Sequence, residues 1–178
     1  MMTANTSGLD VSALTLRDAL DLAVLIEEEA RDRYLEFAEQ MEMHRTPEAA
    51  RFFRFMSENE EKHRVELAER RDKHFGDAPV NVTRAMLFDV EAPEYDEARA
   101  FMTVREALES ALRSEEKAAS FFASALAGLR DPDVRGLFGE LHAEEIEHQR
   151  LVRAQLAKAP AEPLVHPSEI ADEPHAID

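Results

Sequence analysis

Read by the spacing of its apolar side chains, the chain divides into four stretches where small or apolar residues recur at alternating intervals of three and four. That spacing lays one face along an α-helix. The first stretch runs through Leu16, Leu20, Ala23, Glu27, Ala30, Tyr34, Phe37 and Met41, and the second through Ala49, Phe53, Met56, Glu60, His63 and Leu67. The third runs through Val104, Leu108, Ala111, Glu115, Ala118, Phe122, Ala125 and Leu129, and the fourth through Val134, Leu137, Leu141, Glu145, His148 and Val152. The pattern predicts helices over about 14–44, 47–74, 103–129 and 132–157, each on the order of 35 to 40 Å long.

Short links, HRTPEA and GLRDPDV, join the first helix to the second and the third to the fourth. Links of that length make antiparallel neighbours. Pro47 and Pro132 mark helix starts, where a missing N–H costs nothing. Between the pairs, roughly Phe75 to Thr103 has no strong periodicity beyond a short turn of helix, and it reads as a crossover along the length of a bundle. The expected fold class is all-α, an antiparallel four-helix bundle with a long crossover between the second and third helices, forming one domain over residues 1–158. The remaining residues, 159–178, read APAEPLVHPSEIADEPHAID; they are acidic and Pro-containing and are expected to form a disordered tail.

The two halves repeat one another. ALDLAVLIEEEARDRY, from Ala19, lies over ALESALRSEEKAASFF, from Ala107. In the following helices Pro47, Phe53, Glu60 and His63 match Pro132, Phe138, Glu145 and His148, so duplication of a helical hairpin is the simplest account.

Six polar residues interrupt the apolar seams: Glu27, Glu60, His63, Glu115, Glu145 and His148. A lone ionised carboxylate there would cost several kcal/mol or shift its pKa until neutral. Four Glu at one level of a bundle repel one another unless positive charge sits between them, and two divalent metals would supply it. Each Glu-x-x-His pair puts a carboxylate and an imidazole on adjacent turns of one face, and a Glu from each remaining helix can complete two sites. One Glu-x-x-His is expected by chance in a chain with this much Glu and seven His. Two at matching places of a repeat, both in phase with a seam, are not. The bland alternative is a metal-free bundle with a buried polar network. Phase favours Glu27 and Glu115 over Glu28, Glu29, Glu116 and Glu144, which are expected to face solvent or to accept hydrogen bonds from a ligand imidazole. Tyr34, two turns beyond Glu27, either hydrogen-bonds a ligand carboxylate or is an amphipathic core residue.

Charge and composition narrow the field. A formal net charge of −17 opposes binding to nucleic acid or to an anionic membrane surface, and it suits a protein that attracts cations, although Glu-rich helices are also simply soluble. The absence of Cys removes disulfides, Cys-ligated zinc and iron–sulfur centres, so any metal must be held by carboxylate and imidazole. The N-terminus lacks a signal-peptide pattern and no run of about 18 apolar residues occurs, so a soluble cytoplasmic protein is expected.

The segments EEEARDRYLEFA, ENEEKH and EEIEHQ resemble the first-helix and paired Glu-x-x-His motifs of the rubrerythrin branch of the ferritin-like superfamily, over about residues 14–157. The resemblance implies a ferritin-like bundle with a non-haem centre of two Fe ions at the six seam residues, Mn being an alternative and Zn a substitute. It also implies an oxidoreductase of peroxidase or ferroxidase type acting on peroxide or dioxygen. Two features depart from the family pattern. There is no Cys for a rubredoxin centre, so electrons would come from a separate donor protein or from ferrous iron. Ala118 and Phe122 stand where the family usually has a further carboxylate and a second Tyr. A homo-oligomer is compatible with this reading. The alternatives are an iron-handling protein without catalytic turnover and a metal-free helical bundle serving as a binding module.

Overall fold

In the computed structural model, which describes residues 10–89 and 102–161, each long helix begins where the sequence supplies partners for its free N–H groups. Helix α1 (Leu16–Met43) starts behind Thr15, whose hydroxyl accepts the Asp18 N–H at 3.2 Å. Helix α2 (Pro47–Phe75) opens on proline, which has no N–H to leave unpaired. Helix α3 (Val104–Gly128) has a reciprocal cap: the Thr103 hydroxyl accepts from Glu106 N–H at 3.2 Å, and the Glu106 carboxylate accepts from Thr103 N–H at 2.8 Å. Helix α4 (Pro132–Leu156) follows Asp131, whose carboxylate accepts from the N–H groups of Asp133 and Val134.

The four helices form the all-α bundle, and there is no strand among the described residues. Short 3₁₀ turns at Val11–Ala13 and Arg84–Asp89 are the other regular elements described. Part of the crossover, 90–101, and the tail from 162 onward lie outside the described residues, as does the expectation of disorder there. No helix is long and apolar enough to cross a membrane among the residues described.

The core is built in two apolar layers. One contains Leu20 and Ile26 of α1, Leu67 of α2, Phe122 of α3 and Phe138 and Leu141 of α4. The other contains Phe37 and Met41 of α1, Phe53 and Met56 of α2, Leu108 of α3 and Val152 of α4. Membership of the layers fixes direction: the start of α1 meets the ends of α2 and α3 and the start of α4, so α1 and α2 form one antiparallel hairpin and α3 and α4 another. The end of α2 and the start of α3 therefore lie at opposite ends of the bundle. Phe53, Phe122 and Phe138 are fully buried, each contributing about 1.5–3 kcal/mol through burial.

Polar locks hold each hairpin. The guanidinium of Arg71 on α2 reaches the buried Asp21 of α1 at 2.7 Å, and its other nitrogens donate to the carbonyls of Gly76 and Ala78. Gly76 ends α2 with a φ of 49°, a conformation that favours glycine. On the second hairpin, Gln149 of α4 donates to the main-chain carbonyl of Glu115 at 3.3 Å and accepts from Arg153, which in turn pairs with Glu116.

Candidate metal centre

On every helix the level between the two apolar layers carries a carboxylate, and on α2 and α4 an imidazole as well. Glu27 lies between Ile26 and Tyr34 on α1, Glu60 and His63 between Met56 and Leu67 on α2, Glu115 between Ala111 and Ala118 on α3, and Glu145 and His148 between Leu141 and Val152 on α4. All six side chains converge there. Five are buried, whereas His63 keeps 21% of its side chain exposed.

The donor atoms fall into three overlapping groups. Glu115, Glu145 and His148 form one, Glu60, His63 and His148 a second, and Glu27, His63 and Glu144 a third; within each, ligand atoms lie within 4.8 Å of one another. Two donors on opposite sides of a first-row ion stand about 4 Å apart, so each group needs only small side-chain rotations to close on one ion. Both imidazoles turn Nδ1 toward the acids. His148 Nδ1 is 3.2 Å from Glu60 and 3.6 Å from Glu115, and His63 Nδ1 is 3.9 Å from Glu27. Both Nδ1 atoms are buried and, among the described residues, make no hydrogen bond. A buried Nδ1 with no hydrogen-bond partner, facing carboxylates, fits a metal cation taking the place of its proton. The two rings stack, with centroids 5.5 Å apart and planes inclined by 13°.

Electrostatics separate the two imidazoles. Burial and the neighbouring His148 push His63 below the ordinary histidine range, which favours the neutral form that a metal requires. Burial also opposes charge on His148, but the Glu115 carboxylate beside it, with Glu27 and Glu144, outweighs burial and raises its pKa. Glu115 shows the converse balance: burial opposes ionisation, yet His148, Glu145 and the Tyr34 hydroxyl together hold its pKa down.

Tyr34 donates its hydroxyl proton to Glu115 across the bundle, from α1 to α3. Burial foremost, then the negative charges of Glu115 and Glu60, drive its pKa far above the usual tyrosine value, so the proton stays on oxygen.

Three features escape seam counting. Glu144, one residue before the seam, reaches within 3.8 Å of His63 Nδ1 and is half-buried. Gln149, one residue past His148, is buried and ties α4 to the backbone of Glu115. Asp21 is a buried acid whose partner, Arg71, lies 50 residues away, and nothing local in the sequence announces that pairing. The bulk of the remaining acids behaves as the phase suggests: Glu28 and Glu29 pair with Arg84, and Glu116 pairs with Arg153 at the surface.

A family model described as Rubrerythrin matches residues 18–157, a span that contains every residue of this centre. Among solved structures, the chain is similar to an uncharacterized conserved protein from Magnetospirillum magnetotacticum, at 28% identity, covering 85% of this chain and 100% of that one, with a TM-score of 0.72. A search of curated proteins finds no match.

Proposed function

The chain belongs to the rubrerythrin family of the ferritin-like di-iron superfamily, and from that premise we propose that it is a di-iron carboxylate oxidoreductase of peroxidase or ferroxidase type, reacting with peroxide or dioxygen, whose metal ions are held by Glu27, Glu60, His63, Glu115, Glu145 and His148. The observation that carries this reading is the pair of buried imidazole Nδ1 atoms, unbonded among the described residues and turned toward carboxylates. When bound, a pair of ferrous ions supplies the two electrons that, with two protons, convert one peroxide into two waters.

The chain's own residues supply the setting for that chemistry. The four Glu carry the negative charge that makes two divalent cations stable in an apolar bundle. The layers above and below, with Phe122 and Phe53 fully buried, keep bulk water from the level. Tyr34 keeps a proton on its oxygen next to Glu115, which orients that carboxylate. His63 is the one of the six side chains that is partly exposed, so a small oxidant and the metal ions would reach the level on its side.

Electrons must return from outside these 178 residues, which include no Cys for a rubredoxin centre. A separate donor protein in the cytoplasm would serve. Manganese satisfies the same carboxylate and imidazole set, and zinc can occupy it without redox activity.

Elemental analysis of anaerobically purified protein tests the metal content, with about two iron or manganese ions per chain expected. Stopped-flow oxidation of the reduced protein then tests the reaction. Oxidation by stoichiometric peroxide faster than by air supports a peroxidase. Peroxide no faster than air, with continued consumption of Fe(II) beyond two per chain, would instead indicate a ferroxidase.

A further inference from the structure

We propose that Glu144 is itself a metal ligand, giving the ion beside His63 a second carboxylate. This rests on the two-metal reading above and adds a donor outside the six seam residues. Glu144 immediately precedes the α4 motif, and the residue in the same place before the α2 motif is Asn59, so the two halves differ here.

The geometry is that of a three-helix donor set. Glu144 Oε2 from α4 lies 3.8 Å from His63 Nδ1 of α2, and Glu27 Oε2 from α1 lies 3.9 Å from the same nitrogen. All three offer donor atoms within 4.8 Å of one another. This composition, two carboxylates and one imidazole, repeats that of Glu115, Glu145 and His148 in the other group.

An indirect role fits less well. A carboxylate that orients a ligand imidazole accepts a hydrogen bond from the ring nitrogen that does not bind metal. Glu144 instead approaches Nδ1, the buried nitrogen that faces Glu27 and that makes no hydrogen bond among the described residues. An ion at Nδ1 would therefore have Glu144 beside it. The one-residue offset from the seam places this carboxylate at the half-exposed edge of the level, next to the more exposed of the two imidazoles. There a flexible side chain can meet an incoming ion before the buried acids do.

The test is anaerobic titration with Co(II), followed by visible absorption and calorimetry, of the wild-type chain and the variants Glu144→Gln, Glu144→Ala and Glu147→Gln. Glu147 is an exposed neighbour paired with Arg150 and serves as the control. Wild type and Glu147→Gln are expected to bind two Co(II) per chain. Both Glu144 variants should keep one tight site, weaken the other by about tenfold or more and change the visible absorption of the Co(II) bound there, since a lost ligand alters the ion's coordination whereas a lost orienting group leaves its ligand set, and hence its spectrum, in place. Glutamine retains shape and hydrogen-bonding capacity but loses the charge, so a Glu144→Gln chain that binds both ions as wild type does overturns the proposal, whatever Glu144→Ala does. A wild-type chain that binds no Co(II) overturns the two-metal reading itself, which separates the two failures. Circular dichroism of each variant confirms that the bundle is intact.

Discussion

His148 Nδ1 lies 3.2 Å from Glu60 Oε1 but 4.0 Å from Glu145 Oε2, so the imidazole of one Glu-x-x-His motif is nearer to the carboxylate of the other motif than to its own. The two motifs interlock across the hairpins. Glu60 falls in one group with both His63 and His148, whose rings are stacked, so it is the carboxylate within reach of both imidazoles. Spacing along a helix brings a motif's carboxylate and imidazole to one face, whereas the pairing between motifs is a property of how the hairpins dock.

If two ions bind at this level, Glu60 is the acid placed to serve both. Glu60→Ala is expected to bind less than about one metal ion per chain where the wild type binds two, while Glu27→Ala, at the His63 side only, should keep one. Elemental analysis after desalting distinguishes them. A Glu60→Ala chain that retains one tightly held ion would argue that Glu60 serves a single site.

Tyr34 is at once a buried core ring and a hydrogen-bond partner of a carboxylate at the acidic level. Its hydroxyl donates to buried Glu115, so Tyr34→Phe removes a hydrogen bond to an acid while leaving the ring packing against Phe53 in place. Hydrogen bonds to charged groups contribute about 1.5–3 kcal/mol, and a loss of that order is expected in urea denaturation. A Tyr34→Phe chain as stable as wild type would reduce Tyr34 to its ring.

The bundle was legible because its signals are local and redundant. Seam positions such as Leu20, Phe53, Phe122 and Leu137 are all buried, and Pro47 and Pro132 stand at the first residues of α2 and α4. The buried stripe is wider than a strict three-and-four count, since Ala19, Leu22, Ile26 and Ala38 of α1 are buried beside the seam. The same width explains Gln149 and Glu144, each one residue off the seam: a helical side chain spans enough arc that neighbours of a ligand reach the same level. Seam phase alone ranks such residues as surface. The Asp21–Arg71 pair was hidden for another reason, because a contact between the start of α1 and the end of α2 depends on the relative length of two helices and leaves no local pattern.

That pair makes its own prediction. Asp21 is buried, and Arg71 links it to the carbonyls that close α2 at Gly76 and Ala78. Asp21→Ala and Arg71→Ala should each lower the thermal midpoint by a few degrees, and the double variant should lose less than the sum, since each single change leaves its partner without a counterion. Strict additivity in the double-mutant cycle would show that the two side chains act independently.

Metal removal should be felt as instability of the whole bundle. Glu27, Glu60, Glu115 and Glu145 are gathered at one buried level, where the dielectric is low and repulsion among carboxylates is strong. A cation that binds the folded chain and not the unfolded one stabilises by about 2.7 kcal/mol at a hundredfold excess over its dissociation constant. At about 2–4 °C per kcal/mol for a chain of this size, Fe(II), Mn(II) or Co(II) should raise the melting midpoint by on the order of 5 to 10 °C, with reversal by a chelator. The gain should shrink in Glu60→Ala and survive in the control Glu147→Gln. An unchanged midpoint with all three ions would leave the acids of this level to be held by shared protons instead, and would favour the metal-free bundle over the metal centre.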